Sequence, residues 1–129
     1  METKKSNNAQ VMPLSDGEKA RILAAIDVLQ DYACRINEAK GWHDPAPTDP
    51  QSALNVHEEV SELGRYFRDD PSLPSPKIAG FLGVEEEGAD ILIRVLSWYR
   101  RTGWRLGQAM IAKLEYNATR PHRHGNKRF

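Results

Sequence analysis

The 129-residue chain is predicted to be all-α, a single domain of four helices. Three observations predict this. Apolar residues recur at helical spacing in four separate segments, glycine and proline punctuate the gaps, and no run alternates apolar and polar residues as a half-buried strand would. The helical domain is expected over residues 15–120. It follows a polar, unpatterned segment at 1–14 that is expected to be disordered, and it precedes a basic, irregular tail at 121–129.

The first helix opens at Ser15, where Glu18 three residues on completes a capping-box pattern. Ile22, Ile26, Leu29, Ala33 and Ile36 then recur at i, i+4, i+7, i+11, i+14, and the helix is expected to end near Gly41. A proline-rich loop, GWHDPAPTDP, carries Trp42 and His43. Asp49 and Pro50 read as N-cap and first-turn residue of the second helix. There Val56, Val60, Leu63 and Phe67 form a narrow stripe, and Asp69, Asp70 and Pro71 stop it. After a loop with one irregular turn, the third helix spans about Val84 to Thr102 with a broad apolar face of Ile91, Leu92, Val95, Leu96, Trp98 and Tyr99. Gly88 inside it reads as space for close helix approach or for a ligand. Trp98, Tyr99 and Trp104 read as core or interface residues. Gly103 ends the third helix, and a fourth runs from about Arg105 to Thr119, before Pro121.

Lysine and arginine together number 18, as do aspartate and glutamate, so the formal net charge of zero gives no general argument for nucleic-acid or membrane binding. The distribution is uneven. From Arg94 onward there are nine basic residues and one acid, Glu115, whereas the acids concentrate between Glu58 and Asp90. An acidic region facing a basic one suits a metal-bound polyanion such as a di- or triphosphate. A single cysteine, Cys34, excludes an intrachain disulfide and a cysteine-based metal site. With no signal-peptide pattern and no membrane-length apolar run, the expected setting is reducing and cytoplasmic.

Acids inside apolar helices need a reason. Glu58, Glu59 and Glu62 form an EExxE pattern, and Glu87 and Asp90 an ExxD pattern. At about 100° per residue, Glu59 lies roughly 60° to one side of Val56 and Glu62 roughly 60° further round, on one shoulder of the stripe. Glu87 and Asp90 occupy the matching shoulder of the third helix. If the two helices pack side by side, four carboxylates share one cleft, and a divalent cation relieves their repulsion. Oxygen-only ligands select Mg²⁺, with Mn²⁺ as the alternative, over Zn²⁺. A lone EExxE, by contrast, is common on solvated helical faces; the second pair on another helix is what makes the pattern informative.

EExxE followed by ExxD resembles the signature of the MazG-like, all-α NTP pyrophosphohydrolase superfamily, which includes dimeric dUTPases and dCTP pyrophosphatases. The resemblance extends to INEAKGW, ADILIRVLSW and KLEYNATRPHRHGNKRF, and so covers most of Ile36 to Phe129. It implies a four-helix-bundle-like fold assembling as a homodimer or a homotetramer built as a dimer of dimers. It further implies Glu59, Glu62, Glu87 and Asp90 as Mg²⁺ ligands, and Lys113, Tyr116 and Asn117 as phosphate-holding residues, which suits an amine, a phenol and an amide. Arg120 and Arg123 extend that clamp or belong to a solvated basic end. Glu58 orients or deprotonates the attacking water, or supports the ligands without touching the ion. Trp42 stacks on a base or packs on the first helix. His57 touches the nucleotide or is structural. His122 and His124 form an HxH pair without a third zinc ligand nearby.

The expected activity is Mg²⁺-dependent cleavage of an NTP or dNTP between the α and β phosphates, giving a monophosphate and pyrophosphate. The alternative is a regulatory module that binds metal and nucleotide with little turnover. A nucleic-acid-binding role is disfavoured because the basic tail is short. Base and sugar preference are not encoded in any motif of the chain.

Overall fold

A computed structural model, describing residues 10–121 together with Arg123 and Arg128, contains four helices: α1 (Asp16–Ala39), α2 (Asp49–Asp69), α3 (Gly83–Thr102) and α4 (Leu106–Thr119). Among the described residues there is no strand, only an isolated antiparallel bridge between Pro74 and Leu82. No helix among them is long and apolar enough to cross a membrane. Residues 1–9, His122, 124–127 and Phe129 lie outside the described residues. Most of the expected N-terminal segment and the HxH pair of His122 and His124 therefore fall outside them.

The helix ends follow local chemistry. At α1, the Glu18 N–H donates to Ser15 Oγ at 3.1 Å and the Ser15 N–H to Glu18 Oε1 at 3.0 Å, the reciprocal pair expected there. The α2 cap differs from expectation. Thr48, not Asp49, occupies the N-cap, exchanging bonds with Gln51. Asp49, within the first turn, accepts from Trp98 Nε1 at 2.8 Å instead. At α3 the Leu82 N–H donates to Glu85 Oε2 at 2.7 Å, and Gly103, with φ 77°, closes the helix by donating to the Tyr99 and Arg100 carbonyls.

The chain divides into two units, one spanning Ile26–Trp104 and the other formed by the residues up to Ala25 and from Arg105 on. In the larger unit α2 packs along α3. The ring of Tyr66 lies where a side chain on Gly83 would project, so the first turn of α3 requires glycine there. Gly88, read from the sequence as a close-approach residue, is not one: a methyl group there would meet no heavy atom within 4 Å. The C-terminal half of α1 faces α3 through polar groups. Gln30 Nε2 donates to the Leu96 carbonyl at 3.2 Å and Asn37 Nδ2 to Ser97 Oγ at 2.6 Å, with Cys34 Sγ against Ser97 between them. The helix is thus turned so that Ala33 is buried, whereas Leu29 and Ile36 of the expected stripe, with Val28 and Tyr32, are exposed. On α2, Val60 and Phe67 are exposed as well, and so is Leu92 on α3. Trp98, Tyr99 and Trp104 stack edge to face, with centroids 5.2–6.0 Å apart. In the smaller unit, Ile111 is buried and Lys19 Nζ pairs with Glu115 Oε1 at 2.7 Å, joining α1 to α4.

Candidate metal centre

The side-by-side packing of α2 and α3 brings acids from both helices together. Glu59, Glu87 and Asp90 each offer a carboxylate oxygen, and these oxygens lie within 4.8 Å of one another. Glu59 and Glu87 are only 5% exposed. Among the described residues, Glu87 Oε2 has no hydrogen-bond partner. Burial, reinforced by the charges of Glu62, Glu86, Asp90 and Glu59, pushes the Glu87 carboxyl up to about 7. Asp90 is raised too, chiefly by burial and then by Glu59, with Lys77 and Arg94 pulling the other way. Glu62 is half-buried on the same side of α2. It stands outside the tight group of three, yet its charge is the foremost one acting on Glu87.

Two cations border the acids. Arg94, one turn beyond Asp90 on α3, brings both Nε and Nη2 to 2.6 Å from Glu59 Oε1. Lys77, from the loop between α2 and α3, lies 3.0 Å from Glu86 Oε1, and Ser75 Oγ donates to the other oxygen of Glu86. These two partners, Ser75 first, hold Glu86 below the usual carboxylate range. The same hydroxyl accepts from the Lys77 and Ile78 N–H groups, which ties the loop down over the start of α3.

Glu59, Asp90, Glu62 and Glu58 open on a cleft of about 580 Å³, within the range of roughly 300–1,000 Å³ usual for small-molecule sites. Its other walls carry Trp42, His43, Asn37, Asn55, Ser97 and Trp98, with Arg94, Arg101 and Lys77 as cations. Arg101 is fixed by donating to the Pro47 carbonyl at 2.9 Å and to Ser52 Oγ at 3.0 Å. A pocket with carboxylates, three cations, amides and two indoles suits a ligand that is both highly charged and aromatic.

No protein family, curated protein or solved structure matches this chain. Its small all-helical architecture and acid cluster are compatible with a MazG-like fold.

Of the residues singled out from sequence, Glu58, Glu59, Glu62, Asp90 and Trp42 line the cleft, and Glu87 joins Glu59 and Asp90 beside it. His57 is exposed and is not among the lining residues, whereas His43 is. On α4, the Lys113 ammonium sits 4.6 Å from the centre of the Tyr116 ring and the Arg120 guanidinium 5.8 Å from it, while the Asn117 carbonyl accepts from the Arg120 N–H. Arg123 is exposed beyond that helix. The sequence reading passed over Arg94 and Lys77. Arg94 had a local signal, since it stands four residues after Asp90 and seven after Glu87, on the same helical face. Lys77 had none, because a loop lysine meets Glu86 only once the loop folds back.

Proposed function

We propose that this chain is a Mg²⁺-dependent nucleoside triphosphate pyrophosphohydrolase of the MazG-like type, cleaving an NTP or dNTP between the α and β phosphates to a monophosphate and pyrophosphate. The observation that carries the reading is Glu87, a carboxylate almost fully buried, unpartnered at Oε2 and crowded by Glu59 and Asp90. Arg94 pairs with Glu59, but among the described residues no cation pairs with Glu87, and a metal ion would supply that missing charge. All the donors are carboxylate oxygens, which fits a hard divalent ion, Mg²⁺ or Mn²⁺. Such an ion supplies positive charge to a phosphate chain and acidity to water.

In this reading Glu59, Glu87 and Asp90 would hold the ion, and the family resemblance adds Glu62, half-buried on the same side of α2, as a fourth ligand. Glu58, on the cleft wall, is positioned to accept a proton from water. Trp42, with 69% of its surface exposed along the same wall, offers a face on which a base can stack. The roles of Lys113, Tyr116, Asn117, Arg120 and Arg123 as phosphate-holding groups, and of His57 at the nucleotide, rest on the family resemblance alone.

The proposal includes a homodimer or a dimer of dimers. Val28, Leu29, Tyr32 and Ile36 on α1 and Phe67 on α2 expose apolar surface, and among the described residues no large side chain is fully buried. A second copy would cover such surface. Static light scattering at micromolar concentration should give at least twice the chain mass of 14.6 kDa; a monomer would contradict this part.

Pyrophosphate release from a panel of NTPs and dNTPs with Mg²⁺ tests the activity, with Glu59→Gln and Glu87→Gln as controls. Activity that survives both substitutions would sink the reading. Nucleotide binding without release would favour the regulatory module instead.

A further inference from the structure

We propose that Arg94 is a phosphate-binding residue of this cleft, held on Glu59 until a cation takes over that carboxylate. The inference rests on the reading of Glu59, Glu87 and Asp90 as a cation site. Arg94 shares a helical face with Glu87 and Asp90, and both Nε and Nη2 converge on the single oxygen Glu59 Oε1. The partners are unequally placed. The Glu59 side chain is 7% exposed, whereas that of Arg94 is 46% exposed along the open cleft. The carboxylate is therefore the enclosed partner, and the guanidinium is the one that borders the open cleft.

A divalent ion and a guanidinium cannot both crowd one carboxylate without strong mutual repulsion. Arg94 is relieved of that repulsion when an anion joins the ion, whether the guanidinium then stays on Glu59 Oε1 or swings to meet the anion. It remains tethered one turn from Asp90, and a guanidinium matches the paired oxygens of a phosphate as well as it matches a carboxylate. Arg94 thus opposes the ion arriving alone and favours the ion arriving with a polyphosphate. It couples the two binding events, and the site discriminates the metal–polyphosphate complex from the free metal.

The test uses the full chain and simple probes: Mn²⁺ alone, and inorganic tripolyphosphate with saturating Mg²⁺, each titrated by calorimetry. Arg94→Gln should bind Mn²⁺ alone more tightly, by about 2- to 5-fold, the scale of a part-exposed ion pair. The same variant should bind Mg²⁺–tripolyphosphate at least about 10-fold more weakly, the scale of a charge-assisted bidentate contact. Arg94→Lys keeps the charge and loses the fork. It should leave Mn²⁺ affinity near that of the native chain while still weakening tripolyphosphate, which separates the proposal from simple loss of folding. If both affinities fall together in Arg94→Gln, or if neither moves, Arg94 is only a structural partner of Glu59 and the proposal is overturned. Mn²⁺ binding that is absent from the native chain and from Arg94→Gln alike, or that is unaffected by Glu87→Gln, overturns the cation site itself and this inference with it.

Discussion

Replacing Glu87 by glutamine should stabilise the metal-free protein at pH 8, which is the reverse of what most substitutions at a buried site do. The folded carboxyl titrates at about 7 against an ordinary value of 4.5. Between those values the folded chain holds more protons than the unfolded chain. Stability therefore falls as pH rises through this window and is level above it. At 1.36 kcal/mol per unit the full shift corresponds to an upper bound of about 3 kcal/mol, and water in the adjoining cleft brings the expected gain to roughly 1–3 kcal/mol. Glutamine keeps the shape and removes the charge, so Glu87→Gln should recover that amount at pH 8 and almost none at pH 5, where the native carboxyl is already protonated. Thermal melts in EDTA at the two pH values read this directly, at roughly 3–5 °C per kcal/mol for a domain of this size. Titrating groups remote from Glu87 cancel in the difference between the two proteins. Adding Mg²⁺ should reverse the order. The native protein gains about 2.7 kcal/mol at a hundredfold excess over Kd, and the variant gains little. A variant less stable than the native chain in EDTA at pH 8, or a gain equal at pH 5 and pH 8, would refute the reasoning.

Three further outcomes follow from the packing. Gly83→Ala places a methyl group into the Tyr66 ring and should cost about 1–3 kcal/mol in urea denaturation, with much of the loss relieved in a Tyr66→Ala background; a neutral substitution would contradict the observed contact. Thr48→Ala removes the side-chain half of the α2 capping box and should cost about 1 kcal/mol with no change in Mn²⁺ affinity, whereas a neutral substitution would contradict the cap. Ser75→Ala removes the foremost group holding Glu86 below 4.5. The stability provided by that lowered value is present above 4.5 and is lost as pH falls through the folded value, so the cost of Ser75→Ala should be visible at pH 7 and shrink towards pH 3; a cost that stays constant across that range would argue against the contact.

The four helices were legible because their signals are local. Ser15 with Glu18, the spacing of Val56, Val60, Leu63 and Phe67, and Gly103 each act within a few residues of the chain. Even the α2 cap was written in the sequence, since Thr48 and Gln51 have capping-box spacing, but the neighbouring Asp49–Pro50 pair is an equally good start signal. The acid cluster was legible for the same reason, as two i, i+3 pairs beside apolar stripes. The facing of α1 was not. Gln30, Cys34 and Asn37 look like a solvated face, and only the Leu96 carbonyl and Ser97, sixty or more residues away, turn that face inward. Arg94 was overlooked because a basic residue after an acidic motif reads as part of the basic C-terminal half. Its engagement with Glu59 depends on how α2 and α3 are paired.

The Glu59, Glu87 and Asp90 cluster is proposed to serve cleavage between the α and β phosphates. Phosphorus NMR of a nucleoside triphosphate incubated with the protein and Mg²⁺ tests it most directly. Monophosphate and pyrophosphate resonances should grow together, stop on addition of EDTA and be absent with Glu87→Gln. Diphosphate and inorganic phosphate appearing instead, or product that accumulates unchanged with Glu87→Gln, would contradict it.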